Sequence, residues 1–282
     1  MKTAVITGAS SGLGKETAKA LAAQGWHVIA HGRDSARSAL AEADIREGAT
    51  ARVDFLTADL CLLSDTAKLA GSIARLTDKV DVLLNNAGGM RAEFALTSEG
   101  NEVTFAGNHL GHFLLTKRLM PLLEAAPAAR IINTSSDAAN YCRGLDWDDL
   151  QSIAKWDSGA AYCVVKLYNI LFARELAKRG AAHGIVSHAF HPGVVDSNFV
   201  SHAVPSTQAY MATLKATPAD NAAEPLVWLA TSAEAGAVTG LYWNKAVAEN
   251  PNPIALDDAA TARLWDESEA LLAKSGFSGM AD

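Results

Sequence analysis

The chain of 282 residues is 49% hydrophobic and carries 31 acidic against 24 basic side chains, a net charge of −7. One α/β unit spanning residues 1–282 with elaborated loops is expected, and the apolar fraction excludes a disordered or fibrous chain. The acidic balance repels polyphosphates and anionic lipid, which disfavours nucleic-acid and membrane-surface roles.

No run of about 18 apolar residues occurs, and Met1-Lys2-Thr3 leads straight into a strand-like segment. Neither a membrane anchor nor an export signal is expected. Cys61, Cys142 and Cys163 form no C-x-x-C pair, so a reducing cytoplasm is expected, with no disulfide framework and no metal.

Short apolar runs alternate with helical spacing along the whole chain, the pattern of parallel strands joined by helices. Strands are expected at Thr3 to Thr7, His27 to His31, Ala51 to Phe55, Val80 to Leu84, Arg130 to Thr134, Ile185 to Phe190 and Val238 to Trp243. Helices are expected at Lys15 to Ala23, Val103 to Leu123, Ala160 to Arg179, Ala219 to Ala230 and Asp257 to Lys274. The expectation is a doubly wound, seven-stranded parallel sheet flanked by helices. Two stretches, 137–159 and 194–217, interrupt the alternation and are expected to be substrate loops.

Thr7-Gly8-Ala9-Ser10-Ser11-Gly12-Leu13-Gly14 follows the first strand and opens the first helix. Residues without a Cβ let backbone amides approach a pyrophosphate, and the helix N-terminus supplies free N–H groups and a positive dipole end. A ribose-binding acid would fall about twenty residues on, where this chain has Gly32-Arg33-Asp34. Glycine would leave room for a 2′-phosphate and Arg33 would grip it, so NADP(H) is favoured over NAD. Asp34 is either the N-cap of the next helix or an ion-pair partner of Arg33. Asp59 and Leu60 after the third strand, and Asn86, Ala87 and Gly88 after the fourth, sit where ligands bind in open α/β sheets.

Tyr162 and Lys166 are four apart on an expected helix, so phenol and ammonium share one face. A cation there favours the phenolate and readies the tyrosine for acid/base work. Ser135 and Ser136 end the fifth strand, Asn108 lies in the preceding helix, and His191-Pro192-Gly193 ends the sixth strand.

Together these ordered motifs resemble the short-chain dehydrogenase/reductase family, and within it the retinol-dehydrogenase-like branch. Runs similar to that branch's are Asn108 to Leu114, Lys166 to Phe172 and Leu264-Trp265. The resemblance implies a Rossmann-type dinucleotide-binding domain in which Tyr162 is the general acid/base and Ser136 binds the substrate oxygen. It implies that Lys166 holds the nicotinamide ribose and lowers the phenol pKa, and that Asn108 supports a relay water. Pro192, Gly193, Val195 and Ser197 would receive the nicotinamide. Val164 and Val165 depart from the small or polar residues usual beside the tyrosine.

The expected activity is NADP(H)-dependent interconversion of an alcohol with a ketone or aldehyde on an apolar small molecule. The alternatives are a C=C reductase of the protochlorophyllide-reductase-like type and a non-catalytic NADP-sensing regulator; the intact Ser136, Tyr162 and Lys166 argue against the regulator. Tyr141, Trp147, Trp156 and Phe199 are candidate substrate walls. His109, His112, His188 and His191 are read as structural, and homodimerisation is expected through Leu115, Leu119, Leu171 and Phe172.

Overall fold

A computed structural model describes residues 1–277. Its elements are β1 (Thr3–Ile6), α1 (Gly12–Ala23), β2 (His27–Gly32), α2 (Ser35–Glu47), β3 (Val53–Thr57), α3 (Leu63–Ala74), β4 (Val82–Asn85), α4 (Val103–Phe105), α5 (Gly111–Glu124), β5 (Arg130–Thr134), α6 (Ser158–Arg179), β6 (Val186–His191), α7 (Pro205–Ala212), α8 (Ala219–Thr231), α9 (Ala233–Gly236), β7 (Tyr242–Asn244), β8 (Val247–Glu249) and α10 (Asp258–Lys274). A π-helical turn, Ala106–Leu110, joins α4 to α5. The last five residues of the unit expected at 1–282 lie outside the described residues.

The strands lie in the order β3-β2-β1-β4-β5-β6-β7-β8. Seven run parallel, as expected; the eighth, β8, pairs antiparallel with β7. Between Asn244 and Val247 the chain turns through Lys245 at φ 54. Glycine or asparagine usually supplies that left-handed conformation, so no hairpin signal is written there.

Side chains alternate between the faces of the sheet and build two cores. Val5, Ile29, Leu83 and Ile131 join the core under α3, α5 and α6. Ala4, Ile6, Val28, Leu84 and Phe190 join the one under α1 and α8, with Leu21, Leu226 and Leu229. Strands covered on both faces read as continuous apolar runs, which is why the first, fourth and fifth were legible.

α10 packs along α6 and reaches α5. The Trp265 ring lies 4.9 Å from that of Phe113, and Thr261 Oγ1 donates to Glu175 at 2.9 Å. Lys117 pairs with Glu269. Leu115, Leu119, Leu171 and Phe172 are buried within this one chain. The stripe from which pairing of two copies was expected is therefore covered by the chain itself. Among the described residues no helix is long and apolar enough to cross a membrane.

The direction in which successive strands are added to the sheet reverses between β1 and β4, which are parallel neighbours in it. This switch point opens a crevice at the strands' carboxyl ends. All the motif turns lead into it.

Candidate active site

A cavity of about 730 Å³ occupies the crevice. At one end lies the glycine-rich turn, where Gly8 and Gly12 have φ of 70 and 53, values that L side chains rarely adopt. A Cβ on Gly14 would fall 2.4 Å from Gly8 O, so α1 packs against the turn only because that position is bare. Ser11 caps α1 without a side-chain hydrogen bond to it, so first-turn N–H groups stay free for an anion. This Cβ-free cradle fits a dinucleotide's phosphates.

Gly8, Ser10, Ser11, Gly12, Leu13 and Gly14 line the cavity together with Arg33, Asp59, Leu60, Asn86, Ala87 and Gly88. Asp34 caps α2, accepting from Arg37 N at 2.8 Å, and its nearest cation is Arg37 at 3.6 Å. Among the described residues, Arg33 joins no ion pair. Gly32 departs from expectation: a Cβ there would lie 2.6 Å from Ser38 Oγ and 2.9 Å from Ser10 Cβ. The space left by that glycine is filled by protein, so its bareness serves packing first.

At the other end, Asn108, Ser136, Tyr162 and Lys166 line the same cavity. α6 brings the last two together one turn apart, with Lys166 Nζ 5.5 Å from the Tyr162 ring. Nζ donates to Thr134 O at 3.1 Å. Ser135 Oγ donates to Lys166 O at 2.7 Å, so the first serine of the pair is spent holding α6 to β5. Ser136 Oγ donates to Asp137 Oδ1 at 3.2 Å. The π-helical turn carries Asn108, whose Nδ2 donates to Thr104 O at 2.8 Å and Gly89 O at 3.0 Å while Oδ1 accepts from Gly89 N at 3.0 Å.

Burial governs the ionisation of both groups on α6. It pushes the Tyr162 phenol well above its usual range, against the Ser136 hydroxyl, which pulls the other way. It brings the Lys166 ammonium down to about 7. For Tyr162 burial outweighs the Ser136 hydroxyl, and the resulting direction is opposite to the lowering expected from the lysine.

Pro192, Gly193, Val195 and Ser197 also reach the cavity. A Cβ on Gly12 would meet Ser197 Cβ at 2.9 Å, so this segment rests directly on the phosphate turn. The stretch expected as the loop 194–217 is partly helical, with a 3-10 turn at Asn198–His202 and then α7.

Of the expected substrate walls, Tyr141 and Phe199 line the cavity, and the Phe199 ring stands 5.4 Å from that of Tyr162. Trp147 and Trp156 do not. Trp147 stacks under Arg263, with 4.8 Å from the guanidinium carbon to the ring. Trp156 Nε1 donates to Glu102 Oε1 at 3.1 Å. Both anchor the 137–159 loop to the scaffold.

Residues that sequence reasoning missed also line the cavity, among them Arg37, Arg91 and His202 near the phosphate end and Met211 and Leu214 near α7. Arg37 was findable, since it sits in the first turn of the helix following Arg33. Arg91 and His202 come from distant loops and carry no local signal. Of the histidines, His109 Nε2 meets Ser268 Oγ at 2.9 Å and His188 Nε2 meets Ala235 O at 3.0 Å.

Residues 2–208 match the family model described as short chain dehydrogenase. Retinol dehydrogenase 13 of Homo sapiens is 37% identical over 280 residues, covering 96% of this chain and 84% of its own length. Retinol dehydrogenase 14 of Mus musculus is 33% identical over 288 residues, covering 96% of this chain and 86% of its own. The crystal structure of an uncharacterized protein from Mycobacterium paratuberculosis superposes with a TM-score of 0.78 at 32% identity, over 97% of this chain and 94% of that one. The Pseudomonas aeruginosa RhlG/NADP active-site complex superposes with a TM-score of 0.70 over 86% of this chain and 94% of that one; its 24% identity makes this a likeness of fold.

Proposed function

The chain belongs to the short-chain dehydrogenase family, and from that premise we propose that it is an NADP(H)-dependent oxidoreductase interconverting an alcohol and a ketone or aldehyde. One observation carries the reading: Ser136, Tyr162, Lys166 and Asn108 line one end of a cavity whose other end is the glycine-rich turn with Arg33. The nicotinamide, when bound, supplies or takes the hydride; proton handling is left to the protein.

Tyr162, neutral and buried, has the proton that a developing alkoxide requires, and Ser136 beside it can orient the oxygen. Lys166, with its proton loosely held, can replace that of the phenol. Tyr141, Phe199, Met211 and Leu214 offer mostly apolar contacts, which favours bulky neutral substrates. Asp137 next to Ser136 repels carboxylates. The preference for NADP(H) is supported by the guanidinium of Arg33, which joins no ion pair among the described residues, and by Arg37 lining the same cavity.

The test is turnover of NADPH and NADH by the purified chain with a panel of aldehydes and ketones, repeated with Tyr162→Phe. Loss of about 10²–10⁴-fold in kcat with cofactor binding retained is expected. More than a third of the original kcat in the variant would end the assignment of Tyr162.

A further inference from the structure

We propose that His112 is a positioning residue: a neutral imidazole, protonated on Nδ1, that ties the wall of the cofactor cleft to the helical turn carrying Asn108. This rests on reading the cleft as a nicotinamide dinucleotide site. His112 is buried on α5 and sits behind that cleft. Its Nε2 lies 2.9 Å from Thr7 Oγ1 and its Nδ1 lies 3.2 Å from Asn108 O.

The direction of each bond follows from counting protons and lone pairs. Asn108 O is a carbonyl and can only accept, so Nδ1 must carry a proton. Thr7 Oγ1 already accepts N–H bonds from Asn86 and Ala87, both at 2.9 Å, which uses its two lone pairs. The hydroxyl can then only donate, to Nε2 at 2.9 Å or to Leu84 O at 3.2 Å. An imidazolium would present a third donor to an oxygen with nothing left to offer. Burial agrees with the count, bringing His112 down to about 3.

These bonds close a ring. Thr7 holds the backbone of Asn86 and Ala87; Gly88 and Gly89 follow; Asn108 clamps Gly89 through both its amide nitrogen and its oxygen. His112 returns from Asn108 to Thr7. Gly88 leaves no slack inside it, since a Cβ there would lie 2.4 Å from Asn108 Oδ1 and 3.3 Å from Lys166 Nζ. The π-helical turn, in which Gly111 N bonds Ala106 O five residues back, belongs to the same assembly. His112 thus fixes the cleft wall against Lys166 without touching the cavity itself.

Histidine ¹⁵N NMR on the cofactor-free full chain reads the tautomer directly. The expected result is a neutral, Nδ1-protonated ring that does not titrate between pH 8 and about 5, well below the free imidazole value near 6.5. An Nε2-protonated ring, or titration near that value, overturns the proposal and needs no variant to fold. In parallel, His112→Phe keeps a ring and removes both nitrogens, while Thr7→Val removes the hydroxyl. We expect each to weaken NADPH binding by about fivefold or more, and the double variant to bind little worse than either single one. Additive losses, or a Kd within twofold of the parent for His112→Phe, overturn the coupling. If the unaltered chain binds neither NADPH nor NADH, the dinucleotide reading fails, and the tautomer alone decides the role of His112.

Discussion

Replacing Lys166 by methionine should stabilise the fold while disabling the site. Lys166 is 3% exposed, and burial takes the pKa of its ammonium from an ordinary 10.5 to about 7. At about 1.4 kcal/mol per pH unit, carrying the charge into the fold costs about 5 kcal/mol. Against this, the variant loses the bond from Nζ to Thr134 O, worth about 1 kcal/mol. That carbonyl keeps its bond from Asn169 Nδ2 at 2.9 Å and is not stranded. The net gain reaches about 4 kcal/mol, which for a chain of this size raises Tm by roughly 5–10 °C.

The sign depends on pH. Below pH 7 folded and unfolded lysine are both protonated, so the penalty is complete and the variant's advantage greatest. Between 7 and 10.5 the folded lysine has released its proton while the unfolded one retains it. The parent therefore gains stability with rising pH across this window and the advantage shrinks. Thermal unfolding of both proteins at pH 6, 8 and 10 measures this. A variant no more stable than the parent at pH 6, or a gap that stays constant to pH 10, would refute the account of Lys166 as a strained buried base.

Other perturbations probe the two ends of the cavity. Arg33→Ala should weaken NADPH binding by at least about tenfold and leave NADH nearly unaffected, because charge-assisted hydrogen bonds of about 1.5–3 kcal/mol need a phosphate; equal loss for both cofactors, by fluorescence titration, would refute it. Gly14→Ala forces a Cβ against Gly8 O and Asn86 Nδ2, so a lowered Tm and loss of binding to both cofactors are expected, and wild-type calorimetry and affinity would contradict the packing argument. Trp147→Ala should cost about 2 kcal/mol of stability with kcat/KM unchanged. Phe199→Ala should lower kcat/KM for bulky carbonyls at nearly constant Tm, and an exchange of these two outcomes would place the substrate wall elsewhere.

Local chemistry made much of this protein legible in one dimension. Apolar runs and their alternation with helical spacing marked seven of the eight strands, the first, fourth and fifth most fully because both their faces are covered, and the bare positions Gly8, Gly12 and Gly14 announced a turn that backbone must approach closely. The helical spacing of Tyr162 and Lys166 placed them on one face, since four residues make about one turn. What lay beyond reach depends on residues distant in the chain. Trp147 and Trp156 carry the same composition as a pocket wall, and only the positions of Arg263 and Glu102 made them anchors. The covering of Leu115 and Phe172 required α10 to fold back over α5 and α6. Gly32 is bare because Ser38 and Ser10 fill the space beside it. Burial, unknown until the chain closes, set the ionisation of Tyr162 and Lys166 against the expectation from their pairing. Spacing fixes which side chains share a face; the dielectric around them, and the partners they meet, are properties of the packed whole.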